Sequence, residues 1–240
     1  MEWRIVNRRA TLFVEKPFNI TEEVLPLYAS EFAKMGLLPS VNKGVGVKIT
    51  PTGLVTEDIL SLDLKRLDET LKVNFGPDRV DFESSSPEET WPSFHDVVVK
   101  LEDILTKTLK HRIVRLALCG LVFYKMTDEQ LAMAYEKLAK SDGERPVEWV
   151  FRKVLRSELE SEDKKVRQVV NNVYALTSNT AALGMKEDKG VLLDMDVNTL
   201  HGASAENIAT IQELFWRNAA QVIEEAVANY QKVFADGTED

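Results

Sequence analysis

The feature that most restricts the fold is a local pattern that occurs twice, 106 positions apart. Around Thr21 and again around Thr127, an apolar stretch typical of a strand leads to a threonine, two acidic residues and an amphipathic helix. A threonine N-cap and acids in the first turn favour a helix start, because they satisfy free backbone N–H groups and the helix dipole. Each half continues into strands and closes with a helix. We therefore predict an α+β fold, a tandem pseudo-repeat of β-α-β3-α units in which antiparallel sheets pack against long helices.

This repeat divides the chain into residues 1–110 and 111–240, which we expect to form one compact pseudo-twofold body. The net charge of −9 is shared as −4 and −5 between these halves, so no charged tail is present. A hydrophobic content of 44% is too high for a disordered chain. No uncharged apolar run reaches the 18 residues that a transmembrane helix needs, so a soluble protein is predicted.

The cysteine content and the charge indicate a cytoplasmic protein. Cys119 is the single cysteine, so the chain forms no internal disulfide, and its apolar neighbours favour a core position over a nucleophilic one. Charged residues flank the first apolar stretch on both sides, unlike a secretory signal. The acidic balance disfavours nucleic-acid binding, which stays a minor alternative.

Individual elements follow from alternation, helical spacing and turn residues. The clearest hairpin is 71–83, with the turn Gly76-Pro77-Asp78. Thr127 and Gln130 form a predicted capping box. Residues 37–44 are predicted as a loop, and 146–156 fit either a strand or a helix. The remaining predicted elements are strands at 3–15, 45–50, 53–64, 112–125, 164–178 and 190–199 and helices from Thr21 to Gly36, from 94 to 109, after Thr127 as far as Asp142-Gly143, and from 204 to 234.

Two carboxylates are the strongest candidates for chemistry. In a strand over 191–197, Asp194 and Asp196 share one face while Leu193, Met195 and Val197 take the other. Such a pair can hold Mg²⁺ or serve as a general acid and base. A phosphate-binding lysine, a glycine-rich turn or further acids would be needed nearby, and the sequence shows none. The alternative is a solvated strand face that is merely acidic.

Two further groups are candidate binding residues. Asn74, Arg79 and Asp81 share the polar face of the hairpin, as a surface ion pair or as the floor of a groove. Trp216 and Arg217 lie on the long helix, and these residue types are enriched at protein interfaces, although a core position for the tryptophan is an equal alternative.

No cofactor or metal site is predicted. The sequence has none of the spacings HExxH, CxxC, GxSxG, GxxxxGK[ST] or GxGxxG that mark zinc, hydrolase, phosphate and dinucleotide sites. The three histidines are dispersed.

Two segments, VNFGPDRVDF at 73–82 and LLDMDVNTL at 192–200 with the helix that follows, carry a resemblance. The chain resembles a sporadically distributed bacterial α+β family of accessory proteins, some of them associated with defence loci. This resemblance implies a bacterial protein in an accessory role, with antiviral defence as one setting, and no catalytic residues.

The expected function is non-enzymatic. We expect a sensor, adaptor or assembly subunit that binds another protein or forms a homo-oligomer, with no membrane partner. The apolar stripe of the helix at 204–234 packs on the protein's own sheet, between the two halves or against a second subunit. The alternatives are a metal-dependent phosphoesterase or nuclease using Asp194 and Asp196, and a sensor of a small ligand.

Overall fold

The computed structural model describes residues 2–51, 53–139, 146, 148–182 and 187–235. Within these ranges the chain forms nine strands and four helices, and every strand pairing with a described register is antiparallel. This confirms the α+β prediction. Among the described residues, no helix has the length and hydrophobicity needed to cross a bilayer.

In chain order, runs of one, four, one and three strands are each followed by a helix. The elements are β1 (Glu2–Val14), α1 (Leu25–Ala33), β2 (Leu37–Thr50), β3 (Gly53–Arg66), β4 (Leu71–Phe75), β5 (Arg79–Ser84), α2 (Trp91–Asp103, continued by a π turn at Ile104–Thr108), β6 (Ile113–Lys125), α3 (Asp128–Ala139), β7 (Val150–Glu160), β8 (Arg167–Ala182), β9 (Glu187–Thr199) and α4 (Ala205–Ala235). The first half thus has four strands between its helices, where the predicted repeat unit has three.

The chain divides into two compact units. Unit 1 comprises residues 1–9 and 116–240, and unit 2 comprises residues 10–115. Strands β1 and β6 contribute residues to both. In unit 1 the strand order is β6-β9-β8-β7, and in unit 2 it is β2-β3-β4-β5. The predicted halves, 1–110 and 111–240, stay a prediction.

The unit 2 sheet separates an apolar face from a polar one. Val73 and Val80 are fully buried, and the register pairs Val73 with Phe82. This is the alternation predicted for the hairpin at 71–83, and it is confirmed. Tyr28 and Phe32 of α1 pack edge-on against the Phe75 ring.

The helix starts test the predicted caps. Thr127 and Gln130 form the capping box: the Thr127 N–H donates to Gln130 Oε1 at 2.9 Å, and the Gln130 N–H donates to Thr127 Oγ1 at 3.2 Å. The predicted N-cap at Thr21 is wrong, because α1 begins at Leu25 and its N-cap is Val24, without a side-chain cap. The Thr21 carbonyl instead accepts a backbone hydrogen bond from the Leu25 N–H. The predicted end of α3 at Asp142-Gly143 lies outside the described residues.

Two strand predictions change. Residues 37–44, predicted as a loop, belong to β2, since each of them pairs with a residue of β3. The segment 146–156, which fitted either element, contains the start of β7.

Helix α4 packs on the strands of its own unit. Its buried residues are Ala205, Ile208, Ile211, Phe215, Trp216, Ala219, Ile223, Ala226, Val227 and Phe234. The Tyr124 hydroxyl of β6 donates to the Val227 carbonyl at 3.1 Å. Of the predicted roles for its apolar stripe, the structure shows the packing on the protein's own sheet.

Candidate functional site

Strand β9 holds Asp194 and Asp196 on one face, as predicted. Leu193, Met195 and Val197 between and beside them are buried on the opposite face, against which α4 packs. Apolar residues therefore fix the strand, and the two carboxylates are left on the face away from the helix.

The neighbouring strands surround these carboxylates with uncharged side chains. On β6, Cys119 pairs with Asp196 and Leu121 pairs with Asp194. On β8, the corresponding partners are Val173 and Ala175. Across the described residues, no group of three or more His, Cys, Asp and Glu side chains is placed to hold a metal ion.

A cavity of about 120 Å³ lies beside Asp194 in unit 1, lined by Asn7, Arg9, Cys119, Leu121 and Asp194. The Arg9 guanidinium Nη2 donates to Cys119 Sγ at 3.5 Å. A cation and a carboxylate thus border the same small space, together with a neutral thiol and a leucine. This arrangement suits the binding of a small polar molecule.

The electrostatics of the cavity follow from partial burial. Burial raises the pKa of Asp194, with Asp196 adding to the rise and the Arg9 guanidinium opposing it. The Asp194 side chain still reaches solvent, so its carboxyl is only partly dehydrated.

Burial and the charge of Asp196 raise the pKa of the Cys119 thiol to about 12, again against the effect of Arg9. The thiol is therefore protonated at neutral pH, and it is a buried group with 7% of its surface exposed. Because the nucleophile is the thiolate, Cys119 is unsuited to covalent catalysis.

Asn7 and Arg9 were missed by the sequence reasoning. The alternation of β1 could have placed them on one face, but only the folded chain shows that Arg9 lies beside Cys119, 110 positions later. A local pattern contains no information about so distant a neighbour.

The second predicted group, Asn74, Arg79 and Asp81, is brought together in unit 2. Asn74 pairs with Asp81 in the register, and Arg79 Nε lies 3.1 Å from Asp81 Oδ2. The other carboxylate oxygen accepts a hydrogen bond from Thr11 Oγ1 at 2.6 Å. Asp63 pairs with Asn74 from the opposite side. These residues form a polar row across the sheet, and their binding role stays a prediction.

Trp216 and Arg217 of α4 lie in different environments, one buried and one exposed. Trp216 is 3% exposed and packs edge-on against Phe215, so it is a core residue of unit 1. Arg217 is exposed and lies 3.5 Å from Glu213, one helical turn away. The two side chains therefore form no joint surface patch.

A different feature is an arm formed by β2 and β3, which we define as residues 38–62. β2 is the terminal strand of its sheet, and β3 pairs with β4 only through Asp63–Lys65. Within the described part of the chain, β2 and β3 therefore pair only with each other over most of the arm.

The core face of unit 2 continues onto one face of this arm. Leu37 is fully buried, but along the same face of β2 the exposure rises to 40% at Val41 and 69% at Val45. Leu54 of β3 lies on the same face, because it pairs with Ile49, which is four residues after Val45 in β2. Leu54 is 72% exposed. The arm thus presents large apolar side chains that its own unit leaves uncovered.

Neither the family models nor the curated proteins searched with this sequence give a match.

Proposed function

We propose that this protein is non-enzymatic and acts by binding another protein, as a sensor, adaptor or assembly subunit. The observation that carries this proposal is the exposed apolar face of the arm. A two-stranded ribbon on its own is only marginally stable in water. A partner that covered Val41, Val45 and Leu54 would bury their apolar surface and support the ribbon.

The chemistry around β9 supports a non-enzymatic role. Cys119 is a protonated thiol, and Asp194 and Asp196 have uncharged neighbours on both adjacent strands. Mg²⁺ is usually bound through carboxylates assisted by further oxygen ligands or substrate phosphates. The phosphoesterase alternative therefore gains no support from the described residues.

A small-ligand sensor is the second candidate, favoured by the cavity in unit 1. Arg9 and Asp194 border it with opposite charges, which suits a small zwitterion such as an amino acid. Thermal unfolding with each amino acid at millimolar concentration tests this candidate, because a bound ligand raises Tm by mass action. The shift should disappear in Asp194→Asn. If no amino acid shifts Tm, this candidate fails.

We also infer that the chain arose by duplication of a strand–helix–sheet–helix unit. The similar sequence pattern around Thr21 and Thr127 supports this origin, and both halves run strand, helix, strands, helix, with four strands between the helices of the first half and three in the second. A place in a bacterial system, including antiviral defence, follows from the sequence resemblance alone. Gene neighbourhood in the native genome would test it.

Affinity purification from the native host tests the protein-binding proposal. The tagged chain is compared with a Val45→Lys and Leu54→Lys double variant by quantitative mass spectrometry. The matched control is Leu67→Lys, at a position 83% exposed and outside the arm. We expect a co-purifying protein to fall at least about fivefold with the double variant only, and purified components to bind directly. Equal recovery with all three chains would refute the role of the arm.

A further inference from the structure

Two buried oxygen atoms beside the cavity in unit 1 lack a donor. Asn7 Oδ1 and Asp196 Oδ1 are both buried, and neither has a hydrogen-bond partner among the described residues. Asn7 lines the cavity. Asp196 lies next to it, two residues after Asp194 on the same face of β9. A buried acceptor without a donor is costly, because it has lost its hydrogen bonds to water. These two acceptors therefore favour a ligand that is rich in N–H donors.

The width of the cavity explains why its two sides do not bind one another. Strand β6 lies between β1, which carries Asn7, and β9, which carries Asp194. Adjacent strands are about 4.8 Å apart, so these two residues belong to backbones about 10 Å apart. Side chains stand roughly perpendicular to a sheet, and the gap therefore exceeds a hydrogen bond of about 2.9 Å. An ammonium group between them can accept both as partners, because the terminal torsion of Asn and Asp rotates over a broad range.

The charges around the cavity leave one negative charge unbalanced. Arg9 and Asp196 are the charged groups that act on the pKa of Asp194, so one cation is set against two carboxylates. Arg152 of β7 lies on the same face but two strands from Asp194, about 10 Å away, where salt at about 0.1 M screens its charge. An amino acid with a cationic side chain would balance the remaining charge, and a neutral amino acid would not. The net charge of −9 on the chain also attracts cations.

We propose that the cavity binds a basic α-amino acid, such as lysine or ornithine. Asn7 and Asp194 accept hydrogen bonds from the α-ammonium, and Arg9 donates to the α-carboxylate. Asp196 balances the cation of the side chain. The cavity of about 120 Å³ has about four times the roughly 30 Å³ that a water molecule occupies, which is room for the ammonium, the carboxylate and the carbon between them. This inference rests on the proposed role as a small-ligand sensor and narrows its ligand from amino acids in general to basic ones.

A series of ligands tests the recognition of each group. Isothermal titration calorimetry at neutral pH and constant ionic strength compares L-lysine with L-alanine, Nα-acetyl-L-lysine and cadaverine, a diamine without a carboxylate. We expect L-lysine to bind at least about fivefold more tightly than L-alanine. The acetylated form should not bind, because its α-nitrogen carries no charge. Equal affinity for lysine and alanine, or retained binding of the acetylated form, overturns the proposal. Tighter binding of cadaverine than of lysine also overturns it and assigns the cavity to diamines.

Asp196→Asn separates the preference for a basic ligand from binding itself. It keeps the shape of the side chain and removes its charge, so lysine should bind only about as tightly as alanine. Glu158→Gln is the matched control, because Glu158 is exposed on β7 and its replacement changes the net charge by the same amount. The preference for lysine should persist in this control. A preference that survives Asp196→Asn, or that is lost equally in both variants, refutes the assignment.

Asn7→Leu removes the other buried acceptor. It should weaken the binding of both amino acids at least about tenfold, and circular dichroism verifies that the variant is folded. Unchanged affinity in the folded variant would show that Asn7 does not hold the ammonium and would overturn the proposal.

Failure of this inference is distinguishable from failure of the sensor role. If no amino acid binds, the small-ligand role fails together with it. If neutral and basic amino acids bind equally, the cavity is still a ligand site and only the preference for a basic ligand is wrong. The arm belongs to unit 2 and none of these variants alters it, so the protein-binding proposal is tested independently.

Discussion

The Tyr28 hydroxyl and His111 Nε2 are hydrogen-bonded at 2.6 Å, which joins α1 to the segment before β6 within unit 2. The His111 ring also lies against Phe18, with 4.5 Å between the ring centroids. Burial lowers the pKa of His111 and raises that of Tyr28, so both groups are neutral at physiological pH.

This pair makes the stability of the protein dependent on pH. Because the folded-state pKa of His111 lies below its usual value of 6.5, the unfolded chain binds the proton more tightly. The contribution of His111 is therefore complete above its usual pKa and is lost as the pH falls through the folded-state pKa. Urea unfolding between about pH 5 and 8 should show this loss, and His111→Gln should flatten it. An equal slope in both proteins would contradict the assignment.

The same hydrogen bond can be removed from the other side. Tyr28→Phe keeps the ring contact with Phe75 and deletes the hydroxyl, so we expect a loss of about 1 kcal/mol in the free energy of unfolding. Chemical denaturation at mildly alkaline pH measures it. Unchanged stability would mean that water replaces the hydroxyl without cost.

The capping box gives a matched pair of variants. Thr127→Ala removes the side-chain acceptor of the Gln130 N–H and should destabilise the protein by about 1 kcal/mol. Thr21→Ala is the control, because the N-cap of α1 is Val24. It should change stability by less than about 0.5 kcal/mol. Equal losses would show that Thr21 also caps a helix in solution.

Gly190 of β9 pairs with Lys125 at the end of β6. A Cβ there would collide with the Tyr124 carbonyl oxygen and the Phe123 ring. Gly190→Ala should therefore cost about 3 kcal/mol or more and reduce soluble expression. Gly36→Ala is the comparison, because Gly36 has open space around it but a φ of +73°. This variant should lose about 1 kcal/mol in the free energy of unfolding. A stable Gly190→Ala protein would show that the strands separate easily.

Asp194 is expected to oppose folding at neutral pH. Its folded-state pKa is raised above 3.8, so the folded chain holds the proton more tightly, and stability falls as the pH rises through that pKa. Asp194→Asn should raise Tm at neutral pH and lose this advantage below about pH 4. Thermal unfolding at several pH values measures the difference. A destabilised Asn variant at neutral pH would indicate that the carboxylate has a stabilising partner.

Local chemistry explains which parts of the fold could be predicted. The Thr127 capping box and the hairpin at 71–83 depend on residues a few positions apart, and the sequence contains all of them. The strand at 37–44 could not be predicted, because Pro39 and Gly44 resemble loop residues and only pairing with β3 makes them part of a sheet.

The candidate site divides in the same way. Alternation along β9 was enough to place Asp194 and Asp196 on one face. The cavity also needs Asn7 and Arg9 from β1, which reach it by strand assembly over more than a hundred residues. The burial of Trp216 could not be predicted either, because a core position and an interface position both fit the helical spacing. Tertiary packing decides between them.

The division of the chain affects the order in which it folds during synthesis. Residues 10–115 are complete as a unit before translation of 116–240 begins, while the segment 2–9 belongs with that later part. At about 5 to 20 residues per second, the ribosome needs roughly 6 to 25 s to translate 116–240. For that time the segment 2–9 stays without most of the chain that completes its unit. It is thus made early and incorporated into its unit late.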